Sequence, residues 1–263
     1  MLIRVLAEGT ADLAERFLSF KISGETISSV ILVAFICLLS IYIAIRARFA
    51  NPLKRPWGIL FLAEVGVTFF DNLVESIMGK RYRGFGGFIM AIAVYLFMAF
   101  AWSLTGLPSP IVYLATPLSL GLITFVLIHA NSVRFKGFKY FKRYIEPIPI
   151  FLPINLISMW APLLSLTMRL FGNALAGWTI MTLIYTAFNA MGNTLVSFVD
   201  SASSSIQVGG VITPIVTPIL HAYFDLFSGL IQTTVFLFLT MIFIGNEGPE
   251  EDDVEELAKE GGK

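Results

Sequence analysis

Charge is scarce in this sequence. Asp, Glu, Lys and Arg make up 14% of its 263 residues, against about 25% in an average soluble domain. Cysteine is almost absent. Cys37 stands alone inside an apolar run, so no internal disulfide is possible and one thiol makes no metal motif. Its expected role is inert packing, in the core or against lipid. No Cys/His cluster suggests a metal, and no nucleophile–base set suggests a hydrolase. A G-x-x-x-x-G-K-[ST] loop to cradle phosphates is missing, which argues against a self-contained nucleotide hydrolase. Any nucleotide chemistry belongs to partners, and no cofactor is expected. The composition also argues against disorder, a disulfide scaffold, a collagen-like chain and a nucleic-acid partner.

What remains is apolar. Hydrophobic residues reach 56%, Phe alone occurs 24 times, and mean hydropathy is +0.80. The expected class is an all-α polytopic membrane protein. The net charge of zero hides an asymmetry: residues 247–263 hold eight acids and two Lys, leaving sixteen basic and ten acidic residues elsewhere. A block of like charge reads first as a solvated tail, with an interaction role as the lesser alternative. Residues 1–25 mix Arg4, Glu8, Asp12, Glu15, Arg16 and Glu25 and show no cleavable signal pattern, so the first apolar run is expected to stay as a span.

Charge-free stretches define the spans. Thr26 to Ile45 supplies 20 residues, enough to cross roughly 30 Å of hydrocarbon as a helix. Gly84 to Val133 carries no formal charge and is broken by Gly106-Leu107-Pro108-Ser109-Pro110, which marks a hairpin of two helices. A second, longer hairpin runs from Pro147 to Val199 and returns from about Val211 to Gly245. Residues 59–78 differ. Glu64, Asp71 and Glu75 fall on one helical face, and Lys54, Arg55, Lys80, Arg81 and Arg83 flank the segment. This predicts an amphipathic helix on the membrane surface beside about five spans.

The division expected is an outer N-terminal segment over 1–26, one membrane domain over 27–246, and an acidic cytoplasmic tail over 247–263. Lys and Arg set the orientation. Arg46, Arg48, Lys54 and Arg55 fill one loop, and Arg134, Lys136, Lys139, Lys142 and Arg143 another, while loops 105–112 and about 189–210 contain none. Five spans with the N-terminus outside and the C-terminus in the cytoplasm satisfy every loop.

Two charges lie within spans. Arg169 and Asp225 each sit where a charge costs about 2.5–3.5 kcal/mol on insertion scales, which normally marks a pathway or a paired structural bridge. Ser165, Arg169 and Asn173 stand four apart, with Ala176 and Gly177 extending the stripe. His221, Asp225, Gly229 and Gln232 follow at intervals of four, four and three. Small residues permit close helix approach in lipid. Singly, Ser165, Asn173 and Gln232 could be interhelical hydrogen-bonding groups; as two stripes around two charges they read as parts of an ion path.

These residues resemble a known family. Pro162-Leu163-Leu164-Ser165-Leu166-Thr167-Met168-Arg169-Leu170-Phe171-Gly172-Asn173, followed by Ala176-Gly177, is similar to the arginine-bearing span of the a subunit of F-type ATP synthases. Gly229-Leu230-Ile231-Gln232 through Leu239-Thr240-Met241 resembles that family's last helix. Lys136-Gly137 leading to Glu146-Pro147, and Gly106-Leu107-Pro108, fit as well. The resemblance covers about residues 45 to 245.

It implies a membrane stator in a bacterial plasma membrane, with two long tilted helices held against a ring of c subunits. The peripheral-stalk b subunits, the lipid bilayer and, indirectly, the F1 sector are its other partners. Arg169 would face the rotor carboxylate and couple proton flow through two half-channels to rotation. Asn173 and Gln232 would support it, Asp225 would act as a relay in the outer half-channel, and His221 would pass protons to Asp225. Some positions depart from the family. Trp178 stands where Glu or His is frequent, Asn155 where Glu is common, and Tyr113 and Ala115 near where Asp and Asn are usual. The rival readings are a secondary transporter using Arg169 as an anion ligand, which predicts paired broken helices, and a scaffold whose charges only fix packing.

Overall fold

The computed structural model describes residues 24–50, 57–137, 140, 152–199 and 216–248. The expectations for segment 1–23, for Lys54, Arg55, Lys139, Lys142, Arg143 and Glu146-Pro147, for most of the loop near 200–215, and for the tail from 249 onward fall outside them.

Among the described residues all regular structure is helical. Helix α1 covers Gly24–Arg48, α2 Ile59–Met78, α3 Gly86–Ala101, α4 Ala115–Lys136 and α5 Leu152–Val199. Helix α6, Val216–Gly245, contains a π-helical stretch at Ala222–Phe227. Five segments are long and apolar enough to cross a membrane: Thr26–Arg48, Lys80–Thr105, Ala115–Phe135, Leu152–Phe188 and Val216–Gly245. The charges of α2 keep it out of that set. Its chain is an integral membrane protein by length and composition of these helices.

The first hairpin turns where its residues require. Gly106 adopts φ 78°, a left-handed conformation that other residues enter only at a cost, and Pro110 opens a short 3-10 turn before α4. The second arm pair is longer. At 1.5 Å per residue the 48 residues of α5 extend about 72 Å, so a helix of this length stays within roughly 30 Å of hydrocarbon only when steeply inclined.

Helix α3 is the centre of the bundle. Ile89, Leu96 and Ala99 are fully buried and pack with Val74 and Met78 of α2, Leu32 of α1, and Phe236, Met241 and Ile244 of α6. Two glycines admit close approaches between helices. A Cβ on Gly229 of α6 would stand 2.6 Å from the Phe100 Cβ of α3, and one on Gly121 of α4 would stand 3.1 Å from a Leu163 methyl of α5. Both distances lie inside van der Waals contact, so each glycine admits its neighbour.

Helix α2 corrects one expectation. Glu64 is exposed, but Asp71 and Glu75 are half-buried and turned towards protein. The Asp71 carboxylate lies against Gly86 in the first turn of α3, whose missing side chain leaves room for it. A carboxylate beside a helix N-terminus is favoured by the helix dipole, which draws Asp71 off the outer face. That face is instead apolar, with Trp57, Leu62 and Phe69 exposed on and before the helix.

Candidate functional site

The predicted stripe on α5 divides between two faces. Leu163, Leu166 and Leu170 point into the core. Ser165, Arg169 and Ala176 are exposed, Asn173 is half-buried, and Gly177 is buried against Phe224 of α6. Gly172, exposed beside Arg169, has no atom within 4 Å of where its Cβ would be. Arg169 therefore stands on an open, small-residue surface, flanked by Leu164 and Met168, each 52% exposed. Its Nη2 donates to Ser165 Oγ at 3.4 Å, and among the described residues it forms no ion pair. An arginine bridged to Asp225 would have been purely structural; Asp225 has another partner.

That partner is His221. Its Nδ1 and the Asp225 Oδ2 are 2.5 Å apart across one turn of α6, and its Nε2 is 2.8 Å from the hydroxyl of Tyr185 on α5. Three proton-exchanging groups thus form one continuous hydrogen-bonded chain between the two arms. The π-helical stretch holds Asp225 at its centre. With hydrogen bonds one residue longer than in an α-helix, it displaces side chains from the usual spacing, a device frequent at functional sites. The α6 stripe nevertheless turns inward throughout: His221 and Asp225 are half-buried, Gly229 and Gln232 buried.

One turn from the arginine the arms are joined again. Ser228 Oγ donates to Asn173 Oδ1 at 2.9 Å. Gln232 lies one turn further along α6, with Nε2 buried and without a hydrogen-bond partner among the described residues. An unmade bond of this kind costs about 1–3 kcal/mol.

Asn173, Tyr185, His221 and Asp225 meet at one cavity. It has a volume of about 410 Å³ and is lined by Ser103, Ser109, Asn173, Tyr185, His221 and Asp225, with Gly106-Leu107-Pro108 and Trp178 at its margin. The α5 rise places Arg169 about 6 Å along the helix from Asn173, the end of the lining nearest to it. Sequence reasoning found every polar member of this wall on α6 and missed Tyr185. The signal was weak: an aromatic hydroxyl seven residues after Trp178, in a helix already rich in aromatics.

The sequence profile of the ATP synthase A chain matches residues 26–245. The chain belongs to that family. Among similar proteins, ATP synthase subunit a of Mycoplasma genitalium is 28% identical over 246 residues, covering 88% of this chain and 83% of that protein. Subunit a of Alkalihalophilus pseudofirmus is 29% identical over 248 residues, covering 89% and 95%. The sodium ion specific subunit a of Propionigenium modestum is 30% identical over 202 residues, covering 70% and 61%. As a family member the chain is a stator subunit of F0 ion translocation, working with c-ring and b subunits.

Within an A chain the departures noted in the sequence acquire positions. Trp178 is 56% exposed and lines the 410 Å³ cavity. Tyr185, two turns on, places a hydroxyl on α5 against His221 in the same cavity. Tyr113 and Ala115 line a separate cavity of about 470 Å³ with Thr26, Ser29, Tyr95 and Thr116. Hydroxyls stand there in place of carboxyl and amide groups. Asn155 lies in the first turn of α5, half-buried and away from both cavities.

Proposed function

We propose that the 410 Å³ cavity is the outer half-channel for protons and that Arg169 faces the carboxylate of a c subunit. The observation that carries this reading is the exposure of Arg169 on a small-residue surface in mid-helix, one turn from the cavity wall. A guanidinium stays charged at any working pH, so it cannot relay protons. It attracts a deprotonated rotor carboxylate and favours that charged form, which makes the carboxylate give up its proton as it passes. Gly172 and Ala176 leave room for a rotor helix beside it. A fixed positive charge between two offset half-channels blocks direct leakage, so protons travel with the ring.

Asp225, His221 and Tyr185 form the outer relay in this reading. A hydrogen-bonded chain passes protons by exchange along it, which favours H⁺ as the ion conducted. Asn173, held by Ser228, links the relay to the arginine. The loops rich in Lys and Arg face the cytoplasm of a bacterial cell, with the N-terminus outside and α2 along the inner membrane surface. Segment 1–26 is then external, 27–246 the membrane domain and 247–263 the cytoplasmic tail.

The test is ATP-driven acidification of inverted membrane vesicles, comparing wild type with Arg169→Ala at equal complex content. Loss of pumping with assembly and ATP hydrolysis intact is expected. Unchanged pumping would make the arginine structural and end the proposal.

A further inference from the structure

The described chain ends at Gly248, on the rim of a second polar cavity of about 800 Å³ lined by Asn72, Glu75, Lys80, Arg81, Tyr82 and Gly245. Its surroundings are cationic. The guanidinium carbon of Arg81 lies 4.4 Å from the Phe135 ring centroid and that of Arg134 6.0 Å from the same ring. Arg83 is exposed in the same short 3-10 segment, Lys80–Phe85. Glu75 is the one acid in the lining. Basic pockets of this kind between membrane helices ordinarily take anionic lipid headgroups.

This chain brings its own anion to the place. Residues 249–263 carry seven acids and two Lys. The acid just before them, Glu247, already accepts a hydrogen bond from Ser132 Oγ on this face at 2.5 Å. Asn131 donates to the Tyr82 hydroxyl and to the Ile244 carbonyl, at 2.7 and 2.9 Å, fixing where the segment departs. An extended chain covers roughly 3.3–3.6 Å per residue, so a few residues past Gly248 are length enough for a carboxylate to reach across this cavity. A short tether holds its ligand at an effective concentration in the millimolar range, which lipid must match.

We propose that the acidic segment 249–263 is the ligand of this cavity, an intramolecular counter-charge for Lys80, Arg81, Arg83 and Arg134 that keeps anionic lipid headgroups from them. The proposal does not depend on the role assigned to Arg169.

Zero-length carbodiimide coupling tests it in the intact ATP synthase in its own membrane, read by mass spectrometry of the linked peptides. The expected product is an amide between a carboxyl of 249–263 and the Lys80 amine. It should fall about fivefold or more in 0.5 M salt, where the screening length shrinks to roughly 4 Å. Lys80→Arg keeps the charge and must remove this product alone. The paired variant Arg81→Gln with Arg134→Gln should lower it without altering complex content. Tail carboxyls linked only to lysines of other subunits would make the segment an intersubunit contact. Lys80 linked instead to phosphatidylserine would make lipid the occupant. Either result overturns the proposal, as does the absence of any tail–Lys80 product when other acid–lysine pairs of the complex couple.

Discussion

Tyr185 and His221 join the two long arms of the protein through one hydrogen bond of 2.8 Å, and the imidazole carries that connection on to Asp225. In the proposed relay this bond couples helix packing to proton transfer, and the two effects separate experimentally.

Tyr185→Phe keeps the ring and removes the hydroxyl. Interhelical hydrogen bonds in membranes contribute about 0.6 kcal/mol on average, so thermal stability of the purified complex should hardly change. Passive proton conduction through membranes stripped of F1 should fall about tenfold or more, the scale on which a positioned proton-transfer group counts. Normal conduction would remove Tyr185 from the relay.

Asp225→Asn retains the shape of the side chain and most of its hydrogen bonding while abolishing its charge. Conduction and ATP-driven pumping should both fall further than in Tyr185→Phe. Combining the two should cost little beyond Asp225→Asn alone, because one interrupted chain is not interrupted twice. Additive losses would indicate two independent paths.

Arg169→Lys preserves the positive charge but replaces the planar fork by a flexible ammonium that can lose its proton when desolvated. Pumping should drop severely with assembly unchanged, and proton leak should rise above that of wild type. Full pumping by the lysine variant would show that charge alone is sufficient there.

Gly229→Ala drives a methyl group into Phe100. Overpacking of this kind costs about 1–3 kcal/mol, and the complex should lose stability accordingly. Phe100→Gly, which removes the Cβ that the new methyl meets first, should shrink that cost in the double variant. Failure of that rescue would place the strain elsewhere.

Much of this was legible in the sequence. Charge-free runs located the five spans because a buried charge is too costly to occur by accident, and Gly106 with Pro108 and Pro110 marked the first hairpin turn. Arg169, Asn173 and Asp225 stood out for the same reason. The division of the α5 stripe into an outward Arg169 and an inward Gly177 was not legible, because it depends on how α6 crosses α5 and not on spacing. The π-helical stretch at Ala222–Phe227 carries no distinguishing composition. Asp71 was misread as surface because a carboxylate drawn to a helix end looks, in sequence, like one drawn to water.

The contact between Gly229 and Phe100 also has a mechanical meaning. It acts as a key in a slot: α6 cannot turn about its own axis without forcing a side chain into the Phe100 ring. If a rotor drags past this surface as proposed, such a key transmits the load to α3 in the core of the bundle. On the proposed function, the helix frame would then bear the torque while the side chains near the π-helical turn carry the proton path.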